Sequence, residues 1–237
     1  MRPRIGELSV ECLRRHDAAR VLRPHHVEGV HVAVIHVQLC RELDARGVVR
    51  LSDLRPLCGD LYLWQGDITR LQCGAIVNAA NAGMTGCYIP CHACIDNCIH
   101  TYAGVQLRRD CAEIMAAQGS AEPTGRAKIT RAYNLPCDYV LHTVGPIVNG
   151  RVTSEDERLL AACYRSCLEL AAQHGVQSVA FCCISTGVFH FPNKRAAEIS
   201  VETVRRYKSE TESKVKVIFN VFKDTDREIY ERLLGAD

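Results

Sequence analysis

Residues 77–100 read Val-Asn-Ala-Ala-Asn-Ala-Gly-Met-Thr-Gly-Cys-Tyr-Ile-Pro-Cys-His-Ala-Cys-Ile-Asp-Asn-Cys-Ile-His, and this stretch holds most of the side chains that could do chemistry. Cys87, Cys91, His92, Cys94 and Cys98 supply thiols and an imidazole, side chains able to ligate a metal ion. Gly83, Gly86 and Pro90 surround them in place of a core pattern, so metal binding is preferred over packing for this cluster. Asp96 and Asn97 follow at the head of a helix expected from Ile95, Ile99 and Ala103. A carboxylate at Asp96 could act as general base, hold a water at the metal, or only favour the helix dipole. His100, one turn later, is expected to pack. Asn78 and Asn81 leave a strand readily, and Gly83 and Gly86 permit the turns that follow.

Elements that must position these groups are legible on both sides. Leu61-Tyr62-Leu63-Trp64 and Ala75-Ile76-Val77 read as strands, followed by one helix over about 95–118 and a strand Tyr139-Val140-Leu141-His142. Ser154 with Glu157 forms a capping box for a helix burying Leu160, Cys163, Cys167 and Ala171. The apolar run 179–184 predicts a central strand covered on both faces. Pro192 and Asn193 open a helix with Ala197, Val201 and Val204 inward; a strand over 215–219 and a helix over 226–234 complete the pattern. Strands alternating with helices predict an α/β three-layer sandwich, whose sites lie at the carboxyl ends of strands. Residues 1–58 read instead as a helical extension, with Leu8 and Leu13 in one segment and Ile35, Leu39 and Leu43 at fourfold spacing in another. No chemistry is expected there, its histidines 25, 26, 31 and 36 being read as a packed or exposed set. Residues 59–237 form the second unit.

With 47% apolar and 24% charged residues over 237 positions, disorder is excluded. A formal charge of +2 leaves no electrostatic footprint for nucleic acid. Arg2, Arg4, Glu7 and Glu11 precede no apolar signal core, and no stretch reaches membrane-span length, so the expected location is cytoplasmic with no membrane partner. The fourteen cysteines are then expected as thiols, several of them small core hydrophobes such as Cys182 and Cys183. The turn Ser185-Thr186-Gly187-Val188-Phe189 after a buried strand has the chemistry to cradle a phosphate on backbone N–H groups. A zinc deaminase reading, from Pro90-Cys91-His92-Ala93-Cys94 with His26-Val27-Glu28, is set aside, because two strands and a domain boundary separate the halves.

Four motifs in order, Gly66-Asp67-Ile68-Thr69, Ile76-Val77-Asn78-Ala79-Ala80-Asn81, Leu141-His142-Thr143-Val144-Gly145-Pro146 and Ser185-Thr186-Gly187-Val188-Phe189, resemble those of a macrodomain, the ADP-ribose-binding module with a mixed sheet. The cysteine cluster resembles that of the zinc-containing, sirtuin-linked branch, whose members are protein ADP-ribosyl hydrolases. The resemblance implies Asp67 on the adenine amine with the Ile68 backbone beside it, Asn81 on the proximal ribose, and Ser185, Thr186, Gly187, Val188 and Phe189 around the diphosphate and that ribose. Phe222 is a candidate to stack near the adenine, core packing being the alternative. The catalytic pair implied is Asp96 and Asn81, and the zinc ligands, one ion per chain, are Cys87, His92 and Cys94. Adjacent residues of an extended segment point oppositely, which sets Cys91 apart from His92; Cys98 remains the rival that would close the site. The implied function is zinc-dependent removal of mono-ADP-ribose from acidic protein side chains, a non-catalytic ADP-ribose reader with a structural zinc being the alternative.

Overall fold

The computed structural model of the chain describes residues 28–89 and 92–235. Helix α1 (Glu28–Arg46) leads into a short strand β1 (Val49–Arg50), a 3-10 turn, and strands β2 (Pro56–Cys58) and β3 (Leu61–Gln65). A second 3-10 turn (Ile68–Arg70) precedes β4 (Leu71–Gln72) and β5 (Ala75–Ala80), and then helices α2 (Ile95–Ala103) and α3 (Val105–Gln118). The remainder runs β6 (Ala127–Arg131), β7 (Tyr139–Val144), α4 (Ser154–Gln173), β8 (Ser178–Phe181), α5 (Asn193–Thr211), β9 (Lys216–Val221) and α6 (Asp224–Leu234).

Seven strands form one mixed sheet in the order β2-β3-β9-β8-β5-β7-β6, while β1 and β4 pair separately. The five central strands run parallel, and β2 and β6 close the edges antiparallel. A parallel sheet needs helices over both faces, so its middle strands must be apolar on both sides. Strand β8 meets that demand with Val179, Ala180 and Phe181 all buried, and it lies between β9 and β5, the central place expected of the run that begins at residue 179. The α/β architecture with a mixed sheet expected from the sequence is therefore present. Among the described residues no helix is long and apolar enough to cross a membrane.

Several boundaries differ from those read in the sequence. Strand β5 continues through Asn78 to Ala80, because Asn78 pairs in register with His142 of β7 and so stays in the ladder. The capping box of α4 uses Thr153 and Asp156, one residue earlier than expected. Strand β6 went unread, since five residues with only Ile129 and two alanine-sized or hydroxyl side chains between cations carry little apolar signal. The sheet starts at Pro56, so that all three residues of β2 fall inside the expected extension. Within α1, Leu39 and Leu43 are buried but Ile35 is exposed; the first expected helical segment lies outside the described residues. Cys73, Cys111, Cys137, Cys163, Cys167 and Cys182 are free thiols in the core as expected, whereas Cys40 is disulfide-bonded.

The single helix expected over 95–118 is two. Gly104 breaks it with φ +96 and ψ 177, a conformation open only to glycine, and a Cβ there would lie 2.7 Å from Asn134 Nδ2. The same Cβ would lie 3.4 Å from Leu39 Cδ1 of α1. Gly104→Ala is therefore expected to lower stability by about 1–3 kcal/mol in chemical denaturation; an unchanged midpoint would show that the helix junction can relax around a side chain.

Candidate active site

The loops after β3, β5, β7, β8 and β9 all emerge at the carboxyl edge of the parallel strands, as a sheet of this kind requires of its site. At the centre is Asp96, in the first turn of α2 and only 4% exposed. Asn78 Nδ2 donates to its Oδ1 at 2.8 Å, and Asn81 Nδ2 donates to its Oδ2 at 3.3 Å and to the Gly86 carbonyl at 3.1 Å. Burial pushes the Asp96 carboxyl above its ordinary value; the Asn78 hydrogen bond and the Arg108 charge pull it part of the way back. Asn78 is itself fully buried, with its Nδ2 also 3.2 Å from His142 Nδ1. With that nitrogen accepting, His142 Nε2 carries the proton and donates to Thr130 Oγ1 at 2.9 Å. The chain Thr130, His142, Asn78, Asp96 thus runs from the edge of the sheet to the site.

His100 packs under Asp96, its Nε2 3.6 Å from Oδ1. Burial first, and then the Arg108 charge, bring the imidazole down to about 4, and burial brings His142 down to about 3, so both rings are neutral at neutral pH and no ion pair forms. His100, Cys111 and His142 place potential ligand atoms within 4.8 Å of one another. Both nitrogens of His142 are already engaged, which makes this trio the polar floor of the site.

Cys87, His92 and Cys94 bring their donor atoms within 4.8 Å of one another, with Cys87 Sγ 3.3 Å from His92 Nδ1. Asn97 ties this loop down, its Nδ2 donating to the His92 carbonyl at 2.9 Å and its backbone N–H to Cys94 Sγ at 3.4 Å. Burial raises the Cys94 thiol, and the neighbouring Cys87 raises it further, as expected of two thiols that ionise together only around a cation. Two sulfurs and one imidazole at this spacing fit zinc. Cys98 stands outside the trio, half-buried beside Asp67 and Arg46; Cys91 lies outside the described residues.

Asp67 leaves β3 as the cap of the 3-10 turn, accepting from the Thr69 N–H at 3.0 Å and from Thr69 Oγ1 at 2.6 Å. Arg46 NH1, from the end of α1, donates to its other oxygen at 2.9 Å. Ile68 is buried beside it. After β8, Ser185 adopts φ +65 and buries an Oγ that has no partner among the described residues. The Gly145 backbone lies against it so closely that a Cβ would overlap that oxygen. The turn is closed by Thr186 Oγ1 to the Cys183 carbonyl at 3.0 Å, His190 N to Gly187 O at 3.0 Å and Val148 N to Phe189 O at 2.9 Å. Gly187 and Val188 stand exposed at its tip. Phe222 is 76% exposed just past β9, so core packing is not its role.

The Macro domain profile matches residues 77–200. A protein-ADP-ribose hydrolase of Treponema medium is 56% identical over 216 residues, covering 90% of this chain and 83% of its own. The chain belongs to the Macro domain family. Among solved structures, a Trypanosoma brucei macrodomain in complex with ADP-ribose superposes with a TM-score of 0.72 at 30% identity, covering 92% of this chain and 95% of that one. An Oceanobacillus iheyensis macrodomain with ADP gives 0.67 at 36% identity over 74% of this chain and 90% of its own.

In this macrodomain, the residues expected from the sequence fall into three groups along one edge: Asn81, Asp96 and the Cys87, His92, Cys94 trio; Asp67 and Ile68 with Phe222, whose carbonyl accepts from Gln65 at the end of β3; and the 185–189 turn. Two contributors were missed. Asn78 was read as a strand terminator, although an amide at a fully buried strand position must find polar partners, and Arg46 was assigned no chemistry. Asn78→Ala removes the shortest hydrogen bond to a buried carboxylate and one to His142, and is expected to destabilise the fold by about 1–3 kcal/mol. Denaturation with the wild-type midpoint would mean that Asp96 holds its place without Asn78.

Proposed function

We propose that this macrodomain is a zinc-dependent hydrolase that removes mono-ADP-ribose from acidic side chains of modified proteins. The observation that carries the reading is Asn81, whose one amide nitrogen reaches both Asp96 and the carbonyl of Gly86, the residue before Cys87. The carboxylate and the three soft donors therefore form one assembly. The protein-ADP-ribose hydrolase of Treponema medium, related over most of its length, supports the same reaction class.

Cleavage at the anomeric carbon of the proximal ribose breaks its bond to the oxygen of the modified carboxyl and forms a bond to water. An acidic side chain leaves as a carboxylate and needs no proton at neutral pH, so the protein's task is to take a proton from water and hold the ribose. Asp96 is the group to accept that proton: it is buried, raised above its ordinary value and oriented by two amides. Asn81, already at the carboxylate, is placed to orient a ribose hydroxyl. The unpartnered Ser185 hydroxyl and the turn through Phe189 face the diphosphate in this reading. The exposed Phe222 ring offers the adenine a stacking surface, and Asp67 an acceptor for its amine. Cys87, His92 and Cys94 would hold the zinc, which when bound supplies Lewis-acid polarisation of an oxygen. The partner is a mono-ADP-ribosylated protein.

Incubation with an ADP-ribosylated acidic peptide tests the reading. Asp96→Asn is expected to lower release of ADP-ribose by roughly 10²–10⁴-fold. Binding of ADP-ribose without any turnover by the wild-type chain would identify a reader instead. Elemental analysis separates the metal's roles: Cys94→Ser loses zinc and turnover but stays folded, while Cys91→Ser and Cys98→Ser retain zinc and activity. Zinc lost from Cys98→Ser would mean a closed, structural site.

A further inference from the structure

We infer that Arg46, the last residue of the N-terminal helix α1, is a positioning residue for adenine recognition, and that the helical extension is thereby part of the ligand site. The inference rests on the reading of Asp67 as acceptor of the adenine amine, and adds which group holds Asp67 ready for it.

A carboxylate has about four lone-pair positions for hydrogen bonds. On Asp67, Oδ1 accepts from both the N–H and the Oγ1 of Thr69, and Oδ2 accepts from Arg46 NH1 at 2.9 Å. Three positions are taken and one, on Oδ2, remains for a ligand donor. Arg46 also donates through NH1 to Thr69 Oγ1 at 3.0 Å, so arginine, threonine and aspartate lock one another. Its guanidinium carbon lies 3.6 Å from the centre of the Tyr102 ring. Tyr102 belongs to α2, the helix that carries Asp96. Arg46 thus spans the loop after β3 and the helix of the catalytic acid.

Ordinary surface ion pairs contribute little because both side chains must be ordered to make them. This one is held from behind. The Gly47 carbonyl accepts from Arg70 Nε at 2.8 Å, which anchors the end of α1 to the same 3-10 turn that Asp67 caps. Only about a quarter of the Arg46 side chain and a third of that of Asp67 are exposed. Arg46 also balances the Asp67 charge, which would otherwise face a ligand whose diphosphate is anionic. Fixed orientation, a single open acceptor and charge balance together favour a base with an exocyclic amine over one that presents a carbonyl in its place.

Calorimetry of the full chain with ADP-ribose and with its hypoxanthine counterpart, inosine diphosphate ribose, tests the inference. The two ligands share ribose and diphosphate, so a general folding defect weakens both and leaves their affinity ratio unchanged. The wild type is expected to prefer ADP-ribose, and Arg46→Met, which keeps the stem on Tyr102 but no donor, to lose about tenfold in ADP-ribose affinity with little change for the hypoxanthine ligand. Arg46→Lys, with a cation but no planar fork, is expected to give an intermediate ratio and carries the test if the Met variant does not fold. A wild-type ratio in both variants, or tighter ADP-ribose binding in Arg46→Met, overturns the role given to Arg46. A wild-type chain that does not distinguish the two ligands overturns instead the reading of Asp67.

Discussion

The site depends on a carboxylate that has been taken out of water. At Asp96 burial alone would favour the neutral acid, and the fold answers with hydrogen bonds from Asn78 and Asn81 and with the charge of Arg108. Each donor must in turn be held. Asn78 is held by its register in the sheet against His142, and Asn81 by the Gly86 carbonyl and by the Gly83 N–H, which donates to its Oδ1 at 2.9 Å. The loop bearing Cys87, His92 and Cys94 has both ends in this network, one through Gly86 and the other through Asn97 at the start of α2. The acid and the loop of thiols are therefore tied together through Asn81.

Around that centre, the parallel strands solve a second problem by delivering five loops to one edge. Their order brings the turn after β8 beside the end of β5 and places the loops of β3 and β9 together at the other side. That arrangement matches a long, anionic ligand with distinct ends. At the Asp67 end α1 reaches the loop after β3, and Arg46 donates to the Asp67 carboxylate.

Much of this was legible in the chain. Apolar runs located the buried strands closely, and α5 presented Ala197, Val201 and Val204 inward as its periodicity required. Less legible were elements whose signals are weak by nature: the two-residue strands β1 and β4, and the amphipathic edge strand β6. The split between α2 and α3 was hidden because a lone glycine in a helical pattern is tolerated, and only the positive φ of Gly104 shows that it is used.

Residue types and spacing alone determined the chemistry on offer: a cluster of thiols and one imidazole, an acid at a helix start, small residues after strands, and an alternation of strand and helix that sends these to one edge. The ligand types follow from local composition because neighbours along the chain cannot be far apart. Tertiary structure decided which of them meet. It left Cys98 outside the trio, converted Asn78 from a loop former into a buried brace, and joined Arg46 to Asp67 across 21 positions of sequence. Hydrogen bonds and burial depend on distances in space, and those were set by sheet order and helix packing, which no short stretch of sequence contains.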